Sequence, residues 1–127
     1  MPQNKYEYTY DANGNRTLWT LYNWDTATQS FVPSSKREYA YDANGNQTLR
    51  ISYDWDTATQ SFVPNRKGEF TYDTNGNWTL YINYNWDTAT QSFVPSYKKE
   101  YTYDANGNRT IYIDYNWDTA TQSFVPS

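Results

Sequence analysis

Trp24-Asp25-Thr26-Ala27-Thr28-Gln29-Ser30-Phe31-Val32-Pro33 returns without a change at Trp55, Trp86 and Trp117. A second string, Tyr10-Asp11-Ala12-Asn13-Gly14-Asn15, returns at Tyr41 and Tyr103, and at Tyr72 with Thr74 in place of the alanine. Both recur every 31 residues. A fixed period marks a repeat array, in which a unit cannot bury its own surface and needs neighbours. The 127 residues read as one repeat domain of four units, approximately 4–34, 35–65, 66–96 and 97–127.

Each unit holds two turn signals, Asp-Ala-Asn-Gly-Asn and Asp-Thr-Ala-Thr-Gln-Ser, separated by segments rich in Thr, Tyr, Ile and Trp. That pattern predicts a meander of β-hairpins. The turn-free stretches alternate with period two rather than 3.6. Leu49, Ile51, Tyr53 and Trp55 share one face, and Thr48, Arg50, Ser52 and Asp54 the other. In the first unit Thr20 takes the Ile position, while Trp19 and Leu21 fall on the polar face, which predicts a covered outer face there. In the next strand Phe31, Pro33, Tyr39 and Tyr41 share a parity and form the candidate core face. Residues paired across a hairpin lie on one face. That requirement selects a three-residue Ala12-Asn13-Gly14 loop, with Gly14 left-handed as a G1 bulge, pairing Tyr10 with Arg16 and Tyr8 with Leu18.

The segment from Phe31 to Asp42 is long for a strand and contains Pro33. Proline cannot donate to a sheet ladder, so a bend or bulge is expected at Val32-Pro33-Ser34 and its equivalents. Leu18 is expected across from Arg37, and Arg37 across from Ile51, a step of 33 residues against the period of 31. Such shear coils a sheet. The chain begins with one half of the proline-containing strand and ends with the other, so the termini could complete it between them. The fold expected is therefore all-β, an antiparallel meander of about eight strands closed into a small barrel or ring, with an open twisted sheet as the alternative. Closure would remove sheet edges and leave a monomer, whereas an open sheet should self-associate edge to edge.

Aromatics are 20% of the residues, with 15 Tyr and 6 Trp, so burial must be largely aromatic. The chain has neither Cys nor His. That removes disulfides, thiol nucleophiles, imidazole bases and the commonest soft-metal ligands. No enzyme activity, cofactor or metal site is expected. The net charge of −4 and the dispersed Lys and Arg give no nucleic-acid footprint. No apolar run reaches the length of a membrane span. Met1-Pro2-Gln3 and the end inside a unit read as the boundaries of a piece trimmed from a longer parent.

Several resemblances sit on these strings. The YDxNGN signal resembles YD repeats of the Rhs type, found in large bacterial surface and toxin-encasing proteins, although WDTATQSFVP is foreign to them. The whole unit is similar to uncharacterised tandem repeats of secreted Bacteroidota proteins, which implies an extracellular or cell-surface location. A closed ring would resemble the symmetric hairpin barrels called β-flowers, and the near-identity of the copies also resembles an engineered repeat scaffold. The segment Trp24 to Phe31 resembles the second hairpin of the immunoglobulin-binding domain of protein G. That likeness implies hairpin geometry alone, with Asp25 facing Ser30, Trp24 facing Phe31 and Tyr22 facing Pro33.

Asp11, Asn13 and Asn15 have calcium-loop spacing, but Gly14 is misplaced and Tyr22 stands where the bidentate Glu belongs, so a turn is expected. Asp25, Asp56, Asp87 and Asp118 read as turn caps. Lys36 with Glu38, and Lys67 with Glu69, read as solvated surface. Arg37 and Lys99 fall on the aromatic parity and are candidates for stacking on Tyr or Trp. Tyr22, Trp24, Tyr53, Trp55, Tyr84, Trp86, Tyr115 and Trp117 form a ladder suited to stacking a carbohydrate or an apolar ligand, or simply to serving as core. The sequence thus leads to a non-catalytic structural or adhesion repeat, with a glycan- or lipid-binding module as the alternative.

Overall fold

The computed structural model describes residues 3–127. It contains nine strands: β1 (Asn4–Tyr10), β2 (Arg16–Asp25), β3 (Ser30–Tyr41), β4 (Gln47–Asp56), β5 (Ser61–Tyr72), β6 (Trp78–Asp87), β7 (Ser92–Tyr103), β8 (Arg109–Asp118) and β9 (Ser123–Pro126). They form one antiparallel sheet in sequence order. The halves of the split strand appear separately, as β1 and β9 on opposite edges, and no pairing joins them. The expected closure into a barrel or β-flower is therefore corrected to an open sheet.

Side-chain bulk gives the physical reason. Shear of two residues per unit is present, since Leu18 lies across from Glu38 and Glu38 across from Ile51. An eight-stranded barrel, however, has an interior just wide enough for a filling of side chains. One face of this sheet carries a Trp, a Phe, a Tyr and a Lys-Glu pair from each repeat, and the other carries five arginines among its aromatics. Neither set fits a dry interior. Burial is accordingly shallow: Phe70, Thr20 and Asn83, the deepest large or polar side chains, each keep 7% of their surface exposed.

The Asp-Ala-Asn-Gly turns follow the expected three-residue geometry. Gly45 has φ +82°, and Asp42 N–H donates to the Asn46 carbonyl at 2.9 Å. The Asp42 carboxylate accepts the backbone N–H groups of Asn46 and Asn44, both at 2.9 Å. These bonds, that of Asn46 foremost, hold the Asp42 carboxyl below the usual carboxylate range. A Cβ at Gly45 would meet nothing within 4 Å. Gly45→Ala is thus expected to cost only the backbone strain of a left-handed alanine, about 1–2 kcal/mol, read as a lower urea midpoint with an unchanged slope.

At the other end of each hairpin, Tyr22 faces Pro33, Trp24 faces Phe31 and Asp25 faces Ser30, as expected. Asp25 caps this turn, accepting the Ala27 N–H at 2.9 Å. Gln29 takes φ 54°, and its side chain donates to the Thr26 carbonyl at 2.8 Å.

Two bulges per unit change the faces. Tyr10 pairs with Arg16 but Thr9 pairs with Leu18, so Thr17 is an extra residue. Tyr8 therefore stands across from Trp19 rather than Leu18. The expected irregularity after Pro33 is a bulge at Ser34, since Leu21 faces Ser35 while Tyr22 faces Pro33. An extra residue reverses the alternation of side chains. Phe31 and Pro33 consequently lie on one face and Tyr39 and Tyr41 on the other, which corrects the single aromatic face.

Candidate functional site

One face repeats the same contacts in each unit, and we call it the clamp face. Lys36 of β3 lies opposite Tyr53 of β4, with its ammonium 4.3 Å from the Tyr53 ring and 4.9 Å from the Phe62 ring of β5. Lys5, Lys67 and Lys98 each stand 4.2 Å from their own tyrosine, Tyr22, Tyr84 and Tyr115. Each lysine also pairs with the glutamate two residues on, Lys36 with Glu38 at 3.6 Å and Lys67 with Glu69 at 3.8 Å. These pairs were expected to be solvated surface; the bulges at Ser34 and Asn65 turn them onto the clamp face instead.

The tyrosine hydroxyl completes the clamp. Tyr84 donates to Glu69 at 2.5 Å and Tyr115 to Glu100 at 3.1 Å. Burial, reinforced by the neighbouring glutamate, pushes the Tyr53 and Tyr84 phenols up to about 12. Trp24, Trp55, Trp86 and Trp117 each pack edge-on against a Phe with ring centroids 4.9–5.0 Å apart.

The structure thus places all eight ladder residues on one face, though not as a continuous stack. Each Trp meets a Phe and each Tyr meets a Lys. The indole Nε1 atoms of Trp24, Trp55, Trp86 and Trp117 are buried without an acceptor, so that edge of each ring is closed. Asp11, Asn13 and Asn15 form a turn, and no group of three or more metal-ligating side chains occurs among the described residues.

The opposite face is unlike this. Arg37 of β3, Ser52 of β4 and Arg66 of β5 lie directly across from one another. Arg50, two residues before Ser52, shares their face. Arg37 leans on Trp19 at 5.8 Å and Arg50 on Phe70 at 5.7 Å, while Lys99 stands 5.6 Å from the Tyr112 ring. A cleft of about 250 Å³ opens here, bordered by Arg37, Arg50, Arg66, Ser52, Tyr81 and Asn83. Sequence reasoning singled out only Arg37. Arg50 and Arg66 come from separate units, and nothing in a one-dimensional reading brings them together. Burial, and then the nearby Tyr97, hold the Tyr81 phenol above its ordinary value.

Fold and site together define a single-layer tandem hairpin sheet with one uniform and one divergent face. Residues 1–68 match the family of unknown function DUF3836, and the chain belongs to that family. Three solved structures share the fold. A protein of unknown function from Bacteroides fragilis is 19% identical with a TM-score of 0.73, covering 98% of this chain and 88% of its own. A DUF3836 family protein from Bacteroides vulgatus is 18% identical with a TM-score of 0.60, covering 74% of this chain and 91% of its own. Another from Parabacteroides distasonis is 17% identical with a TM-score of 0.55, covering 72% and 81%. No curated protein matches. The resemblance to YD repeats of the Rhs type is corrected by this membership. Asp-x-Asn-Gly is the chemistry that a three-residue G1-bulge turn demands in any hairpin, so the string reports a turn rather than an ancestry.

Proposed function

We propose that this chain is a non-catalytic structural or adhesion module of a bacterial surface protein, extended by edge-to-edge addition of a second copy. The observation that carries this reading is the placement of exposed apolar side chains. Tyr6, Tyr8 and Tyr10 on β1 and Ile111, Tyr112 and Ile113 on β8 are each more than a third exposed. The equivalents of the β8 residues in inner units, such as Leu49, Arg50 and Ile51, are half-buried, because a following strand covers them.

The repeat's own register supplies the docking geometry. Leu18–Leu21 pair with Ser35–Glu38 inside the chain. By the same rule, Ile111 faces Glu7 of the second copy, Tyr112 faces Tyr6, Ile113 faces Lys5 and Asp114 faces Asn4. Four residue pairs form a small interface, and the association is weak and concentration-dependent. The contact is heterologous and propagates in one direction.

Sedimentation velocity tests this with the 127-residue chain. The mean mass is expected to rise with concentration, and Ile113→Lys, which sets an ammonium opposite Lys5, is expected to abolish the rise. Adding Lys5→Glu to Ile113→Lys is expected to restore it. A mass independent of concentration, or a double variant no better than the single one, would overturn the reading.

A further inference from the structure

The two faces differ in how far the four units agree. Every unit has Lys at positions 5, 36, 67 and 98, Glu two residues later and Tyr at 22, 53, 84 and 115. On the opposite face, position 6 and its equivalents read Tyr6, Arg37, Gly68 and Lys99. Position 19 and its equivalents read Trp19, Arg50, Tyr81 and Tyr112, and position 4 and its equivalents read Asn4, Ser35, Arg66 and Tyr97. The same backbone closes over every one of these choices, so folding does not dictate them.

Charge is partitioned in the same way. On the clamp face four lysines balance four glutamates, and eight aspartates sit in the turns. The divergent face keeps Arg16, Arg37, Arg50, Arg66, Lys99 and Arg109 against Asp54 and Asp114 alone, an excess of positive charge in a chain of net −4. Among the described residues every ion pair uses a lysine, and none uses an arginine. Asp54 borders an adjoining cleft with Arg37 and Arg66 and pairs with neither.

We propose that the cleft formed by Arg37, Arg50 and Arg66 binds a compact oxyanion of the sulfate or phosphate type. Like charges on neighbouring strands repel unless a counter-ion stands between them. Guanidinium groups offer a planar fork of donors that matches a tetrahedral or planar oxyanion, and the pairing is bidentate. Gly68 lies across from Arg50 and Asn83, and a Cβ there would meet Tyr81 Cε1 at 3.1 Å. Its missing side chain keeps the floor of the cleft open. Ser52 and Asn83 supply neutral polar groups at the same place. Three arginines in one cleft suit a single anionic group, whereas a nucleic-acid backbone requires a longer basic track.

Calorimetric titration with sodium sulfate, inorganic phosphate, glucose 6-sulfate and glucose tests the site. Arg50→Gln and Arg66→Gln are each expected to weaken binding of the anions at least tenfold. Arg109→Gln, a cation of the same face outside the cleft, is expected to change it less than twofold. Tighter binding of glucose 6-sulfate than of sulfate would support an ester on a sugar as the ligand, and equal binding would support the free anion. No saturable binding by the unmodified chain, binding of glucose as strong as that of its sulfate, or an equal loss in Arg109→Gln would overturn the proposal. Edge-to-edge association is independent of these residues, so the two proposals fail separately.

Discussion

Trp55→Ala is expected to destabilise the sheet by about 2–3 kcal/mol, at or below the lower limit for deleting a large buried aromatic because the ring is only half-buried. Trp55 packs on Phe62 with centroids 4.9 Å apart, and the neighbouring Tyr53 and Lys36 carry the clamp on to β3. Phe62 also touches Lys36, so losing the indole loosens three strands at once. The main strand contacts all join sequence neighbours, so no second layer compensates. At Trp117 the same contacts recur, with Phe124 touching Lys98 of β7, but β9 is a four-residue edge strand with no strand beyond it, so the same change there is expected to cost about half as much. Urea unfolding followed by circular dichroism reads both. Equal losses at Trp55 and Trp117 would show that the clamps act independently of their place in the array.

Raising the pH above 10 is expected to unfold the protein steeply. The Tyr53 and Tyr84 phenols are pushed up to about 12, chiefly by burial and secondly by Glu38 and Glu69, from an ordinary value of 10.0. A group whose folded pKa exceeds its unfolded one holds its proton longer in the native state. Its stabilisation is complete below pH 10 and is lost as the pH climbs from 10 toward 12. The double variant Tyr53→Phe with Tyr84→Phe lacks both ionisations, and its stability is expected to fall less steeply across that window. Lysine deprotonation weakens the ion pairs in both proteins alike and does not hide the difference. Identical slopes for the two proteins between pH 10 and 12 would contradict the linkage.

The local hairpins are legible in the sequence because their causes are local. Gly14 and its equivalents take the left-handed conformation that their turn requires, and Asp25 caps the four-residue loop that the Trp-to-Phe segment implies. Pro33 announces the bulge beside it, because a residue without an N–H cannot continue an unbroken ladder. The bulge at Thr17 has no such marker. Its neighbours are ordinary strand residues, and missing it reversed the facing of Tyr8 and Leu18. With Ser34 it also moved Lys36 and Glu38 from supposed surface into the clamp, where the lysine meets two rings. Face assignment by parity is fragile for this reason, since one inserted residue inverts every side chain beyond it.

By itself the sequence determined the repeat, the antiparallel meander, both turn geometries, the Tyr22–Pro33 and Trp24–Phe31 pairings and the shear of two residues per unit. Each depends on residues within one hairpin or on the period. Only the tertiary structure decided that the sheet stays open, that its aromatics divide between two faces, and that Arg37, Arg50 and Arg66 meet over Ser52. Those outcomes depend on bulges accumulated across several strands and on the bulk each face carries, quantities that no single hairpin contains.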